Sequence, residues 1–150
     1  MVKLRKTASI LIVIILLIVT GCSNKEVIKH NYTYKGENEL WTVEYKVNGT
    51  VTFTEKNGKT ECESNSNKIL TVNYKKDLSE LSSVKHLEIS YESSAGGGKS
   101  NLDFNDNPPN EKTYTLKSGG TGAIENKDEI IKVNITIDGK AQTIELKNVQ

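Results

Sequence analysis

Residues 93–102 read SSAGGGKSNL, three glycines followed by Lys99-Ser100. Those residue types suit a loop that wraps phosphate oxygens, whose pattern is G-x-x-x-x-G-K-[ST] between a strand and a helix. With Lys99 and Ser100 in the last two places, Gly98 falls correctly, but Ser93 stands where the first glycine is required. The residues that follow, NLDFNDNPPNEK, carry two prolines among asparagines and aspartates and cannot open a helix. Without a helix N-terminus a phosphate loses both the aligned N–H groups and the dipole. The stretch is therefore expected to be an exposed, flexible loop after a strand ending near Tyr91, and no nucleotide is expected.

The neighbouring DFNDNPPNEKTY offers oxygen ligands. Asp103, Asn105 and Asn107 match positions 1, 3 and 5 of a calcium loop, but Pro108 replaces the glycine of position 6 and Tyr114 the glutamate of position 12. A looser cation site would use Asp103, Asp106 and Glu111, while the same composition also makes an ordinary turn. A further glycine-rich run, SGGTGAIENKDE, spans residues 118–129. If the two runs meet at one end of the domain, Gly96, Gly97, Gly98, Lys99, Asp103, Asp106 and Glu125 are the candidates for an interaction surface. Catalytic patterns are missing: His30 and His86 stand far apart with no zinc-ligand spacing, and no G-x-S-x-G elbow occurs. The chain is not expected to be an enzyme and no cofactor is expected.

The elements that would position these residues are strands. In ELWTVEYKV, Trp41, Val43, Tyr45 and Val47 share a face, with Trp41 a core anchor. Leu70, Val72 and Tyr74, then Leu87, Ile89 and Tyr91, then Tyr114 and Leu116, then Ile131, Val133, Ile135 and Ile137, and finally Ile144 and Leu146, repeat the period of two. Each strand has one apolar and one polar face, the pattern of antiparallel sheet. Asn48-Gly49, Asn57-Gly58 and Asp138-Gly139 read as two-residue hairpin turns. Helix is limited to a short turn in DLSELSSV, residues 77–84, with Asp77 and Glu80 placed for a capping box. No amphipathic helix exists to cover a sheet, so sheet must cover sheet. The expected fold is an all-β antiparallel sandwich, with an immunoglobulin-like topology one form of it and a closed barrel the alternative.

The chain begins MVKLRKTASILIVIILLIVTGCSN: a basic segment, then the apolar run of residues 10–19. Ten helical residues cover only about 15 Å of a hydrocarbon core roughly 30 Å thick, which reads as a signal peptide. Val19-Thr20-Gly21-Cys22 resembles the lipobox of bacterial lipoproteins. The resemblance implies cleavage between Gly21 and Cys22, a diacylglyceryl thioether on Cys22, and anchoring in the cell membrane on its extracytoplasmic face. Residues 1–21 are then signal peptide, 22–30 the lipidated cysteine and a polar tether, and 31–150 one domain. Cys62 is left without an intrachain partner, so no disulfide framework is possible, and the alternation of TECES is expected to bury it as a small hydrophobe.

The mature chain carries a net charge of about −2 with both signs interspersed, which excludes the basic face that nucleic acid needs. GENELWTVEY, DLSELSSVKHLEISYESSAGGG and GAIENKDEIIKVNI with DGKAQTIELKN make the mature part similar to small lipobox-bearing lipoproteins of Gram-positive bacteria, for which no activity is defined. That resemblance implies export and an all-β domain and carries over no catalytic residue. The expected function is a membrane-anchored binding or accessory module whose partner is an envelope protein or polymer. The alternatives are a lipoprotein carrying a small ligand or cation in the 103–111 loop, and a weak envelope enzyme.

Overall fold

The structure, a computed structural model, describes residues 24–105 and 107–150. Gly21, Cys22, the signal segment and Asp106 lie outside the described residues. The rest divides into a smaller unit, reaching Val27 and including Thr52–Cys62, and a larger one of Ile28–Val51 and Glu63–Gln150.

Among the described residues eight strands follow in chain order: β1 (Lys25–Glu37), β2 (Trp41–Lys56), β3 (Lys59–Tyr74), β4 (His86–Ser93), β5 (Gly96–Asp103), β6 (Thr113–Gly120), β7 (Ile131–Ile137) and β8 (Lys140–Asn148). The all-β antiparallel expectation is met. The strands lie in one sheet of order β5-β4-β7-β8-β1-β2-β3-β6. Within the larger unit this sheet curls until its edges approach, and the Tyr91 hydroxyl of β4 lies 2.8 Å from Ser118 Oγ of β6. Of the two architectures open to the sequence, the curled sheet is nearer the barrel than two stacked sheets. Curling lets one sheet bury its own apolar face, which is what a chain without amphipathic helices requires.

The inward positions are those of the sequence alternation. Trp41, Tyr45, Leu70, Val72, Ile89, Val133, Ile135 and Leu146 are almost wholly buried. Trp41 packs edge-on to Tyr74 with ring centroids 4.9 Å apart, and Tyr45 packs on Tyr91 at 5.0 Å. Such pairs add roughly 0.5–1.5 kcal/mol beyond their buried area.

Several local expectations are corrected. Asn48-Gly49 is no turn, because β2 runs through it as a 16-residue strand. Gly49 serves packing instead: a Cβ there would meet Ile124 Cδ1 at 2.6 Å. The turns at Asn57-Gly58 and Asp138-Gly139 do form, with φ of 54° and 71° at the first and 46° and 82° at the second, the pair of positive values that a type I′ hairpin demands. Residues 25–30, expected as tether, belong to β1. The helical stretch is a single 3-10 turn, Leu78–Leu81, and Asp77 makes no side-chain cap. No capping box forms, since Glu80 takes the Tyr74 hydroxyl at 3.3 Å.

In the smaller unit, Glu55 N donates to Asn24 O at 3.0 Å, and Cys62 is exposed rather than buried. Its immediate neighbours Glu61 and Glu63 are exposed as well: this part of β3 has no apolar layer for the alternation to face.

Candidate functional site

Residues 93–102 are not a loop. Ser93 pairs with Gly96 and the register continues through Tyr91↔Gly98 to His86↔Asp103, making a tight β4–β5 hairpin. The glycines are set by what they face. A Cβ on Gly98 would stand 2.6 Å from the Tyr91 ring, and one on Gly97 2.5 Å from the Tyr91 carbonyl oxygen. The second glycine run closes β6 against β3, with Gly119 opposite Asn67 and Gly120 opposite Ser66.

The two runs do meet. Gly96 and Gly97 from one edge of the sheet and Gly119 and Gly120 from the other line a cavity of about 170 Å³, together with Ser66, Lys68, Tyr91 and Ser118. Next to this cavity is a buried polar cluster on the inward face. The Lys68 ammonium lies 2.8 Å from Glu125 Oε1, with side-chain exposures of 10% and 0%. The Tyr45 hydroxyl donates to the same oxygen at 2.7 Å. The Ser93 hydroxyl lies 3.0 Å from it and 2.8 Å from the Gly96 carbonyl, so it donates to one of them at a time. Glu125 Oε2 is buried without a hydrogen-bond partner. Burial, reinforced by the Glu125 carboxylate, pushes the Tyr45 phenol far above its ordinary value, so it stays a donor.

The connection carrying Glu125 is clamped to the β4–β5 turn by Glu129. Its carboxylate takes the Ser94 amide at 2.5 Å, the Ser94 hydroxyl at 2.6 Å and the Asn126 amide at 2.9 Å. Burial opposes ionisation of Glu129, but these bonds, with the charge of Lys68, outweigh it and hold the carboxyl below its usual range.

Of the residues singled out in the sequence, Gly96 and Gly97 line the cavity, Gly98 packs on Tyr91, and Glu125 sits in the buried cluster instead of on a surface. Lys99 is elsewhere, 2.8 Å from Glu88 in an ion pair. Asp103 Oδ1 is held 2.6 Å from His86 Nδ1, and Glu111 is exposed. Among the described residues no group of three His, Cys, Asp or Glu side chains converges. Lys68 and the Tyr45 hydroxyl are not among the residues singled out in the sequence, although it holds a signal for both: Lys68 has the parity of the inward Leu70, Val72 and Tyr74, and an inward Tyr45 needs a partner for its hydroxyl. Two other hollows, one beside Lys35 and Glu37 and one beside Lys25 and Glu55, are bordered by these exposed surface side chains.

The chain matches no family model, no curated protein and no solved structure.

Proposed function

We propose that this chain is a lipid-anchored extracytoplasmic lipoprotein whose mature domain is a binding module of the cell envelope, with its recognition site at the glycine-lined cavity. The anchor rests on the sequence: a basic segment, a short apolar run and Val19-Thr20-Gly21-Cys22 in the order that lipidation and cleavage require. The observation that carries the binding role is the convergence of two glycine runs, distant in sequence, on one polar cavity beside the buried Lys68–Glu125 pair. A buried ion pair is costly to desolvate and is weak evidence for stability. Placed beside a cavity, it fits a role in recognition better than one in holding the fold. Glu125 accepts from Lys68 and Tyr45, and Ser93 divides its single proton between Glu125 and the Gly96 carbonyl, an arrangement that fixes the charged pair beside the cavity.

The test is metabolic labelling with a fatty acid in a bacterium that processes lipoproteins, followed by membrane fractionation. The native chain is expected to carry label and to sediment with membranes, and Cys22→Ser to lose both. An unlabelled native chain released to the medium overturns the anchor.

A further inference from the structure

The hydrogen bonds around the cavity differ sharply in quality. Behind it, Glu125 Oε1 takes Tyr45 at 2.7 Å and Lys68 at 2.8 Å. On its lining, Lys68 Nζ reaches the Ala95 carbonyl only at 3.5 Å, and Ser66 Oγ reaches the Gly120 carbonyl only at 3.5 Å. Both lie at the outer limit of a hydrogen bond. An ammonium has three N–H donors, and Lys68 has one short bond among them. The polar side chains facing the cavity thus keep hydrogen-bonding capacity that the protein's own short bonds do not use.

What would satisfy them follows from charge and size. The charged group on the lining is a cation, while Glu125 lies behind it with no exposed side-chain surface. A ligand reaching Lys68 therefore meets donors first. Glu125 already neutralises the cation, so an anion is held by charge-assisted hydrogen bonds from Lys68 and not by surplus charge, and a second negative charge on it would only add repulsion from the Glu125 carboxylate. The volume, about 170 Å³, with Ala95, Ala123 and Tyr91 as its apolar lining, leaves room for a methyl-sized side chain and not for a large one. Gly96 and Gly120 have φ of 120° and 145° with nothing near an added Cβ, so the rim is open. They lie on β5 and β6, the two ends of the strand order, whose edge backbone groups can pair with an extended chain.

Resting on the binding-module reading and giving it a ligand class, we infer that the cavity recognises a small monoanionic carboxylate, in the form of a peptide carboxy terminus ending in glycine or alanine. The carboxylate accepts from Lys68, and the peptide backbone leaves along the glycine edges.

The test uses the mature chain with Cys22→Ser, labelled with nitrogen-15 and followed by amide NMR. The probes are N-acetyl-alanine, its methyl ester, free alanine and inorganic phosphate. N-acetyl-alanine is expected to move the amides of Gly96, Gly97, Gly119 and Gly120 with a dissociation constant on the order of 1 mM. The methyl ester should bind at least ~10-fold more weakly, having lost a charge-assisted bond. Free alanine, whose ammonium takes the place of the chain, and phosphate should bind more weakly than N-acetyl-alanine. Ala123→Trp, at an exposed lining position, should abolish the shifts by filling the cavity. Lys68→Met with Glu125→Met removes both charges together, so no buried charge is left unpaired, and should abolish them in a folded protein.

Absence of saturable shifts at those glycines in the folded chain overturns the inference. So does equal binding of the ester, tighter binding of phosphate, or undiminished binding by the folded double variant. Tighter binding of free alanine would replace a peptide terminus with an amino acid. None of these outcomes alters whether Cys22 carries lipid, so failure here and failure of the anchor are read separately.

Discussion

At the scale of single residues, the chain concentrates its unusual chemistry in Lys68 and Glu125. Both sit where an apolar side chain would be the ordinary occupant, and each is tolerable only because the other is present. Removing one partner leaves a buried uncompensated charge, which costs about 3–5 kcal/mol, whereas replacing both with apolar groups of similar volume is often neutral or better. Lys68→Met alone and Glu125→Met alone should therefore each lower the melting temperature markedly. The double substitution should recover most of the loss, and a double-mutant cycle from thermal or urea unfolding measures the coupling. Purely additive losses would show that the pair is not coupled through its ion contact. Half of this arrangement was legible. Lys68 stands in phase with Leu70, Val72 and Tyr74, and a lysine at an inward position demands a partner. Glu125 was not legible as that partner, because the segment that carries it, residues 121–130, is irregular and has no period to give its side chains a direction.

At the scale of elements, periodicity proved a better guide than turn motifs. Asn48-Gly49 has the composition of a hairpin turn, yet the odd-numbered positions Trp41, Val43, Tyr45, Val47, Gly49, Val51 and Phe53 keep one parity straight through it. A strand that turned back would have had no reason to hold that phase. The glycine is explained by the Ile124 side chain lying over it, a contact from a distant element.

Gly97 and Gly98 of β5 misled in the same way: they read as flexibility and are close approaches within a hairpin. The connection after β6 has its own device in Glu129, which ties Asn126 to Ser94. Its carboxyl is depressed, so its contribution is fully present above the unfolded carboxyl value, about 4.3, and is lost as pH falls through the lower folded value. Glu129→Gln should lower the melting temperature at pH 7, and the gap from the native chain should narrow by pH 3. Differential scanning calorimetry at the two pH values checks this, and a gap that does not change would mean that the carboxylate charge plays no part in the clamp.

At the scale of the whole molecule, one sheet supplies both walls of the core, and its edges β5 and β6 are the last strands of the order. β4, β7 and β8 each lie between two hydrogen-bonded neighbours, whereas β5 and β6 have such a neighbour on one side. Amide hydrogen exchange should therefore be slowest in β4 and β7 and fastest at the outward amides of β5 and β6, especially around Gly96–Gly97 and Gly119–Gly120, where the edges part to form the cavity. Uniform protection across β5 and β6 would mean that the sheet closes fully in solution. A ligand in the cavity would slow exchange at those same amides, because it binds the folded state alone.

The sequence by itself determined that the domain is antiparallel β, which residues face inward on most strands, and where two of the tight turns lie. These are consequences of local period and of backbone conformations that Gly, Asn and Asp tolerate most cheaply, so they need no knowledge of distant residues. Tertiary structure alone decided that the strands share one curled sheet, that the two glycine runs meet, and that Glu125 closes on Lys68 and Tyr45 across 57 and 80 positions of chain. Pairing order is set by which edges bury the most apolar surface together, a comparison among whole arrangements that no local spacing records.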